Sequence, residues 1–518
     1  MRYRLGIDVG GTNTDAVILD ESNSVVAKCK EATTPDVSSG INKAVEHVLK
    51  ESKIDPAHIV DAMLGTTHAT NAIIERKGLS RVGVIRLSGP SGYGIPPYIE
   101  WPEDLLETLN HTYEIVKGGY EYNGALISDT DEDEIRAALE RIKKHGVDAL
   151  AVSCAFSPVN GEQEILVQKL AREMFGDAFP ITLSNEIGSI GLLERENAAI
   201  LNAAIRNLAE QAYSSFQNVL ADHGVHADLF ITQNDGTLMS IEYAKEYPVL
   251  TIASGPTNSL RGAAFLSGMK DGIVVDVGGT TTDVGVLSKG FPRESSSAAE
   301  MGGVRTNFRM PDLIAIGLGG GSLVSGNDKP VTVGPQSVGY KIHTEALIFN
   351  GSTLTATDIA VAAGIAQLGD ASKVRDIDKG TVEETIGVIK TMVEEVVDKM
   401  KVSAEDVPVI VVGGGSILIP ESLKGASTVI KPEHFEVANA IGAAIAQVSG
   451  SIDGVFDVAT KGRDTVIEEV KAMATAEAVK AGAEESSIEI VELEEIPLVY
   501  LPSNAVRFRV KAVGDLKR

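Results

Sequence analysis

The chain states one pattern twice. Leu5-Gly6-Ile7-Asp8-Val9-Gly10-Gly11-Thr12-Asn13-Thr14-Asp15 near the N-terminus returns as Ile273-Val274-Val275-Asp276-Val277-Gly278-Gly279-Thr280-Thr281-Thr282-Asp283. Each copy is an apolar run ending in Asp, then a Gly pair, then hydroxyl or amide residues, then a second Asp. Short β-branched runs flanked by Gly read as buried strands. Gly accepts positive φ and lets another group approach the backbone, and N–H groups in such a turn converge on an anion. Apolar residues return at Val17–Leu19 and Val284–Leu287, so each copy reads as a β-hairpin. The G-x-G-x-x-G and G-x-x-x-x-G-K-[ST] signatures of strand-turn-helix phosphate loops are absent from these segments. Two matched turns, half a chain apart, constrain the chain to two halves closing on one phosphate chain.

Asp8 and Asp276 end their strands. A carboxylate beside a phosphate-binding turn is unfavourable unless a cation lies between, and Mg²⁺ prefers oxygen ligands while keeping several waters. Asp8 and Asp276 are therefore expected to hold hydrated Mg²⁺ or to orient an attacking water. Gly10, Gly11, Thr12, Asn13 and Thr14, with Gly278, Gly279, Thr280, Thr281 and Thr282, supply backbone and side-chain donors for phosphate. Two further Gly-rich segments follow apolar runs: Gly413-Gly414-Gly415-Ser416 after Val409–Val412, suited to packing against a flat base or ribose, and Ile316–Ser322, containing Gly319 and Gly320.

The 518 residues are enough for two or three domains. A formal charge of −26 argues against broad nucleic-acid binding. Only two cysteines occur, Cys29 and Cys154, without metal-ligand spacing, so no disulfide framework is expected and a cytoplasmic, reducing setting fits. No signal-peptide core opens the sequence, and no apolar stretch reaches the length of a membrane span.

Along the chain, strands and helices alternate. A helix is expected over Val37–Ser52, a strand, Thr-rich turn and helix start over Ile59–Arg76, an irregular lid, interface or variable loop over 86–124, and a long helix from Leu192 to Tyr213. A second half repeats the alternation, ending in a small-residue helix at Glu436–Val448 behind the 413–416 turn. The boundaries expected are 1–195, 196–450 and a small α+β appendage at 451–518. His223 and His226 read as surface residues without a zinc pattern, and Ser254 lies outside a nucleophile elbow.

These segments together resemble the actin-like ATPase superfamily, and more closely its hydantoinase A/5-oxoprolinase family. The resemblance rests on Gly6–Asp15, Gly65-Thr66-Thr67-His68-Ala69-Thr70-Asn71-Ala72, Leu193–Ala198, Ser254-Gly255-Pro256, Asp276–Asp283, Ile316–Ser322 and Val333-Gly334-Pro335, in the family's order over roughly 1–450. It implies an α/β fold of two ribonuclease-H-like, actin-type domains clasping ATP, plus the C-terminal segment. It implies phosphorylation of the carbonyl oxygen of a cyclic amide such as a hydantoin, 5-oxoproline or lactam, so that water opens the ring. Asp8 and Asp276 map onto the phosphate-loop acids and Gly413–Ser416 onto the adenosine loop. Thr66, Thr67 and Asn71 map onto a segment expected to face the γ-phosphate and substrate.

His68 departs from the family's usual apolar residue, Asn13 from its usual Phe, and the 339–352 segment, with His343 and Glu345, replaces a Gly-Pro-rich stretch. His68 is expected to touch substrate, act as an acid or base, or simply pack. Arg195 and Asn197 line the cleft for substrate or link the domains. Many relatives need a B-type subunit or a fused B half, which this sequence lacks; a B-type partner or a homo-oligomer is expected. The competing readings are a non-enzymatic ATP switch, such as a chaperone or enzyme-reactivating factor, and a small-molecule kinase.

Overall fold

The computed structural model describes residues 2–33, 37–295, 299–307, 310–325, 330–498 and 505–517. Two sheets carry the repeat. In the first, Tyr3–Val9 pairs antiparallel with Asn13–Leu19, which pairs antiparallel with Val25–Ala32; on the other side Tyr3–Val9 pairs parallel with Ile59–Thr66, and that strand with Asp228–Thr232. In the second, Gly272–Val277 pairs antiparallel with Thr282–Ser288, which continues to Phe291–Pro292; Val407–Val412 and Ala426–Ile430 add parallel on the opposite side. The two sheets thus share one 3-2-1-4-5 strand order, so the sequence repeat is also a repeat of topology. The β-branched runs bury as expected: Ile7, Ile18, Val275 and Val411 are inaccessible to solvent.

The expected boundaries do not coincide with the sheets. Asp228–Thr232 and Thr237–Ser240, from the second expected domain, belong to the first sheet. The C-terminal segment is a helix, Arg463–Lys480, with strands Glu489–Pro497 and Ala505–Gly514, which makes it α+β as expected. It is attached as an edge: Gln447–Asp457 pairs with Thr237–Ser240, and the two C-terminal strands follow it, making a nine-stranded sheet. Val466, Val470, Ala474 and Phe508 form the core beneath that edge.

A third sheet interrupts the first. Thr112–Lys117, Val82–Gly89, Ala149–Cys154 and Ile181–Leu183 lie parallel in that order, between helices including Glu132–His145 and Glu162–Phe175. The stretch expected to be irregular, 86–124, contains the end of Val82–Gly89, the whole of Thr112–Lys117 and the helix Glu103–Leu109. Frequent Gly and Pro hide short elements there, and Trp101 is buried, its indole N–H donating to Asn197 at 2.9 Å. The long helix, Leu192–Asp222, returns the chain to the first sheet. No helix among the described residues is long and apolar enough to cross a membrane.

One helix pair positions the residues around the first hairpin. Ser254–Ser267 and Ala438–Ala444 cross almost backbone to backbone, because Gly262 and Gly442 sit at the contact: a Cβ on Gly262 would lie 1.8 Å from the Ala438 carbonyl oxygen, and one on Gly442 would lie 1.9 Å from that of Asn258. The second helix also lies on the first strand, where a Cβ on Gly6 would meet the Ala440 carbonyl oxygen at 2.3 Å. The expected small-residue helix is thus shorter than read, since 447–457 extends as strand, and its small residues serve this crossing. The preceding turn does touch the third Gly-rich segment: the Gly413 N–H donates to the Phe435 carbonyl at 2.9 Å.

Candidate functional site

Both hairpins close in the same way. Gly10 N–H donates to the Asn13 carbonyl, and Gly278 N–H to the Thr281 carbonyl, each at 2.9 Å. In this register Asp8 stands directly opposite Asp15, and Asp276 directly opposite Asp283. Directly opposed residues of an antiparallel pair share a face, and like charges so placed repel. The repeat is therefore a device that places two carboxylates side by side, twice. The tips approach one another as well: a Cβ on Gly279 would lie 2.9 Å from the Thr12 side chain.

Around this meeting point the remaining Gly-rich segments pack onto the second hairpin. Gly320 and Gly321 N–H groups donate to the carbonyls of Gly278 and Gly279, at 3.0 and 2.7 Å, and Gly415 N–H donates to Val277 at 2.8 Å. A Cβ on Gly319 would collide with the Thr280 nitrogen at 2.5 Å, and one on Gly413 with an Asp276 carboxylate oxygen at 2.3 Å. Gly319 and Gly320 thus support the second turn from behind. Thr14, Thr282 and Ser416 are buried; Thr282 donates to the Leu318 carbonyl at 2.7 Å. Gly11 and Thr281 are exposed at the tips, with Gly10, Thr12, Asn13, Gly278, Gly279 and Thr280 partly so.

The first carboxylate pair is capped by amides. Asn258, from one crossing helix, donates to Asp8 at 2.9 Å, and Asn439, from the other, donates to Asp8 at 3.0 Å and to Asp15 at 2.7 Å. Lys30 Nζ lies 2.7 Å from the Asp15 carboxylate. Burial pushes Asp8 up to about 7; the Asn258 amide opposes that, the charge of Asp15 adds to it, the Asn439 amide opposes it and the charge of Asp276 adds further. Burial likewise raises Asp276, against the Ser259 hydroxyl and Lys30, and it raises Asp283 to about 7 with help from Asp276. Buried like charges are the arrangement that a cation relieves. The candidate ligands are all oxygens, which suits a hard ion such as Mg²⁺. No three His, Cys, Asp or Glu side chains among the described residues converge as a ready-made cage.

Thr67 and Asn71 lie at the end of the strand beside the first hairpin. The Thr67 hydroxyl donates to the Val9 carbonyl at 3.3 Å, and Asn71 donates to that hydroxyl at 3.4 Å, so both stand beside the first turn. Ser254 and Gly255 reach the same corner, with Ser254 donating to the Thr66 carbonyl at 3.4 Å and a Cβ on Gly255 meeting Thr67. His68 faces inward with Thr66 toward Ile205, Ala209 and Tyr213 of the long helix, and burial lowers its pKa.

Arg195 and Asn197 are not open to a substrate. The Arg195 guanidinium is buried and donates to Ser184 and to the carbonyls of Ser189, Ile190 and Cys154. Asn197 accepts from Trp101 and donates to the Arg305 carbonyl at 2.9 Å. Both thus tie the start of the long helix to the third sheet and its neighbours.

Asn258, Asn439, Ser259 and Lys30 do not stand out in the sequence, and the second Asp of each repeat carries no role there. That second Asp is visible as a pattern, and the hairpin reading supplies its register. The two asparagines carry no signal, because only the helix crossing brings them together.

A family description of the hydantoinase/oxoprolinase N-terminal region matches residues 4–175, and one of the hydantoinase/oxoprolinase region matches residues 195–367. The chain is similar to the acetophenone carboxylase gamma subunit of Aromatoleum aromaticum, 26% identical over 70% of this chain and 53% of that one. It is likewise 26% identical to the caprolactamase subunit alpha of Pseudomonas jessenii, over 70% and 54% of the two chains. The chain spans about half the length of the curated relatives it matches. The crystal structure of ATP-dependent caprolactamase from Pseudomonas jessenii shares the fold, with a TM-score of 0.75 at 19% identity, covering 99% of this chain and 88% of that one.

Proposed function

The chain belongs to the hydantoinase/oxoprolinase family, and on that premise we propose that it binds ATP with Mg²⁺ and uses it to phosphorylate the carbonyl oxygen of a cyclic amide. The observation that carries this reading is the meeting of two matched hairpin tips, Thr12 against Gly279, each backed by a pair of facing carboxylates.

Phosphoryl transfer asks the protein chiefly for positioning and charge stabilisation. The accessible N–H and hydroxyl groups at 11–13 and 279–281 would hold the phosphate oxygens from two sides. Asp8 and Asp276 would hold Mg²⁺ through water, and that ion would supply neutralisation of charge on the transferring group. The lactam oxygen attacks the γ-phosphorus and the bond to ADP breaks. Water then adds to the activated carbon, the ring C–N bond breaks as a proton passes to the departing nitrogen, and a second water releases phosphate from the acyl phosphate that remains, giving the ring-opened acid. Asp8, ionised in that role, would also orient a water toward the activated carbon. Thr67 and Asn71, beside the first turn, are the groups we place nearest the substrate.

The relatives named as subunits support a multi-subunit assembly, with a B-type chain completing the hydrolysis. The buried free thiols Cys29 and Cys154 fit a cytoplasmic setting. The test is an ATPase assay against a panel of lactams, hydantoins and imides, with and without a B-type chain. Stimulation by a member of the panel, with phosphate released and a ring-opened product, is expected. ATP turnover that no panel member stimulates under either condition would sink the reading, and a stable phosphorylated product in phosphorus NMR would convert it to a kinase.

A further inference from the structure

The carboxylate cluster poses a problem for any phosphate that enters. Asp8 faces Asp15 and Asp276 faces Asp283, and the cation that pairs with this set among the described residues is Lys30, through Asp15. Lys30 lies on Val25–Ala32, directly across from Asp15 in the strand register, and its Nζ is 2.7 Å from that carboxylate. Asp15 is almost sealed, its side chain 2% exposed, whereas that of Lys30 is 29% exposed. The lysine stem also reaches the other half of the molecule: a Cβ on Gly414 would lie 3.6 Å from Lys30 Cε, and the charge of Lys30 acts on Asp276. Lys30 therefore stands between the first hairpin, the second hairpin and the third Gly-rich turn.

Two strand residues earlier, on the same face, Lys28 is differently committed. It lies 2.5 Å from Glu436 and 2.9 Å from His434, residues of the turn whose Phe435 carbonyl anchors Gly413. Lys28, as accessible as Lys30, is thus spent on fastening this turn to the first sheet, and Lys30 is the lysine that stands beside the hairpin acids.

We propose that Lys30 is a nucleotide-phosphate ligand, held by Asp15 until a phosphate oxygen takes over its ammonium. This rests on the nucleotide reading above. The sequence hides it, because the lysine is 19 residues beyond Gly11, on a neighbouring strand rather than in the turn.

The experiment is equilibrium binding of ATP, ADP and adenosine to the full chain, without divalent cation, for the wild type and for Lys30→Met, Lys30→Arg and Asp15→Asn. Losing a charge-assisted hydrogen bond should weaken ATP binding about ten- to a hundredfold in Lys30→Met while leaving adenosine unchanged. Lys30→Arg should recover part of that loss. Asp15→Asn should bind ATP more tightly than wild type, because the competing carboxylate is gone; a purely structural ion pair would weaken in both partners' variants. Lys30→Met binding ATP and adenosine in the wild-type ratio overturns the proposal. Asp15→Asn binding ATP more weakly overturns it too, and keeps the test decisive if Lys30→Met fails to fold. Wild-type protein that binds none of the three would instead overturn the nucleotide reading itself.

Discussion

The two hairpins are near copies in sequence and turn geometry, yet they present their carboxylates differently. In the first, amides from two helices and one lysine converge on Asp8 and Asp15. In the second, Asp276 has the Ser259 hydroxyl, and no hydrogen-bond donor among the described residues reaches Asp283. The same Asp-Val-Gly-Gly-Thr motif therefore yields one braced pair and one looser pair. What a carboxylate does is set by what the fold aims at it: both crossing helices send an amide to the first copy, and one of them sends only the Ser259 hydroxyl to the second.

Substitution of the braced acid should be the most damaging. Asp8→Asn is expected to lower ATP turnover at least about a hundredfold with the fold retained, since it removes charge where the transferring group is held. Asp283→Asn should cost less, and steady-state ATPase kinetics of the two variants would expose an error if their losses were equal.

The equivalent glycines come next. A Cβ at Gly11 meets nothing within 4 Å, whereas one at Gly279 meets Thr12. Gly279→Ala should lower turnover about ten- to a hundredfold by holding the tips apart, and Gly11→Ala should be nearly silent. The double variant Gly279→Ala with Thr12→Ser should recover activity if the contact is the cause.

A third comparison uses pH. Asp8 and Asp283 each rise from 3.8 to about 7 on folding. Between those values the folded chain keeps protons on these two groups that the unfolded chain has released, so the stability they contribute is greatest at the acid end and is lost as pH rises toward 7. The thermal midpoint of the nucleotide-free protein should decline over that window. Asp283→Asn should flatten the decline, and an unchanged slope would show that this carboxyl does not titrate as its surroundings indicate.

The smallest effect should separate the buried hydroxyls. Thr282→Val leaves the Leu318 carbonyl without its donor and should cost about 1–2 kcal/mol, while Thr14→Val, whose hydroxyl lies 3.4 Å from that of Thr33, should cost less than about 1 kcal/mol. Denaturant melts of both would rank them.

The hairpins are legible in the sequence because their chemistry is local: β-branched runs, a Gly pair and hydroxyl residues fit few other structures. The site's bracing is not, because Asn258 and Asn439 are 181 residues apart in the numbering and meet only through the helix crossing at Gly262 and Gly442. Arg195 and Asn197 stand out as notable residues, but a sequence does not state whether a guanidinium points at solvent or at four neighbouring oxygens. The C-terminal segment reads correctly as helix and strands, and its place is hidden for a related reason. Strand order depends on which edge remains open, and that edge belongs to Thr237–Ser240, more than two hundred residues upstream.

That open edge also sets a timetable. During synthesis the first sheet can reach six strands, ending at Thr237–Ser240, while everything beyond residue 446 is still unmade. The helix that carries Asn439 emerges just before the strand that covers this edge. A bare edge invites pairing with other chains, and long-range pairing is slow to form. A nascent chain cut short before that helix would hold both hairpins, Asn258 and Lys30, and yet lack Asn439, the one amide that touches Asp8 and Asp15 at once.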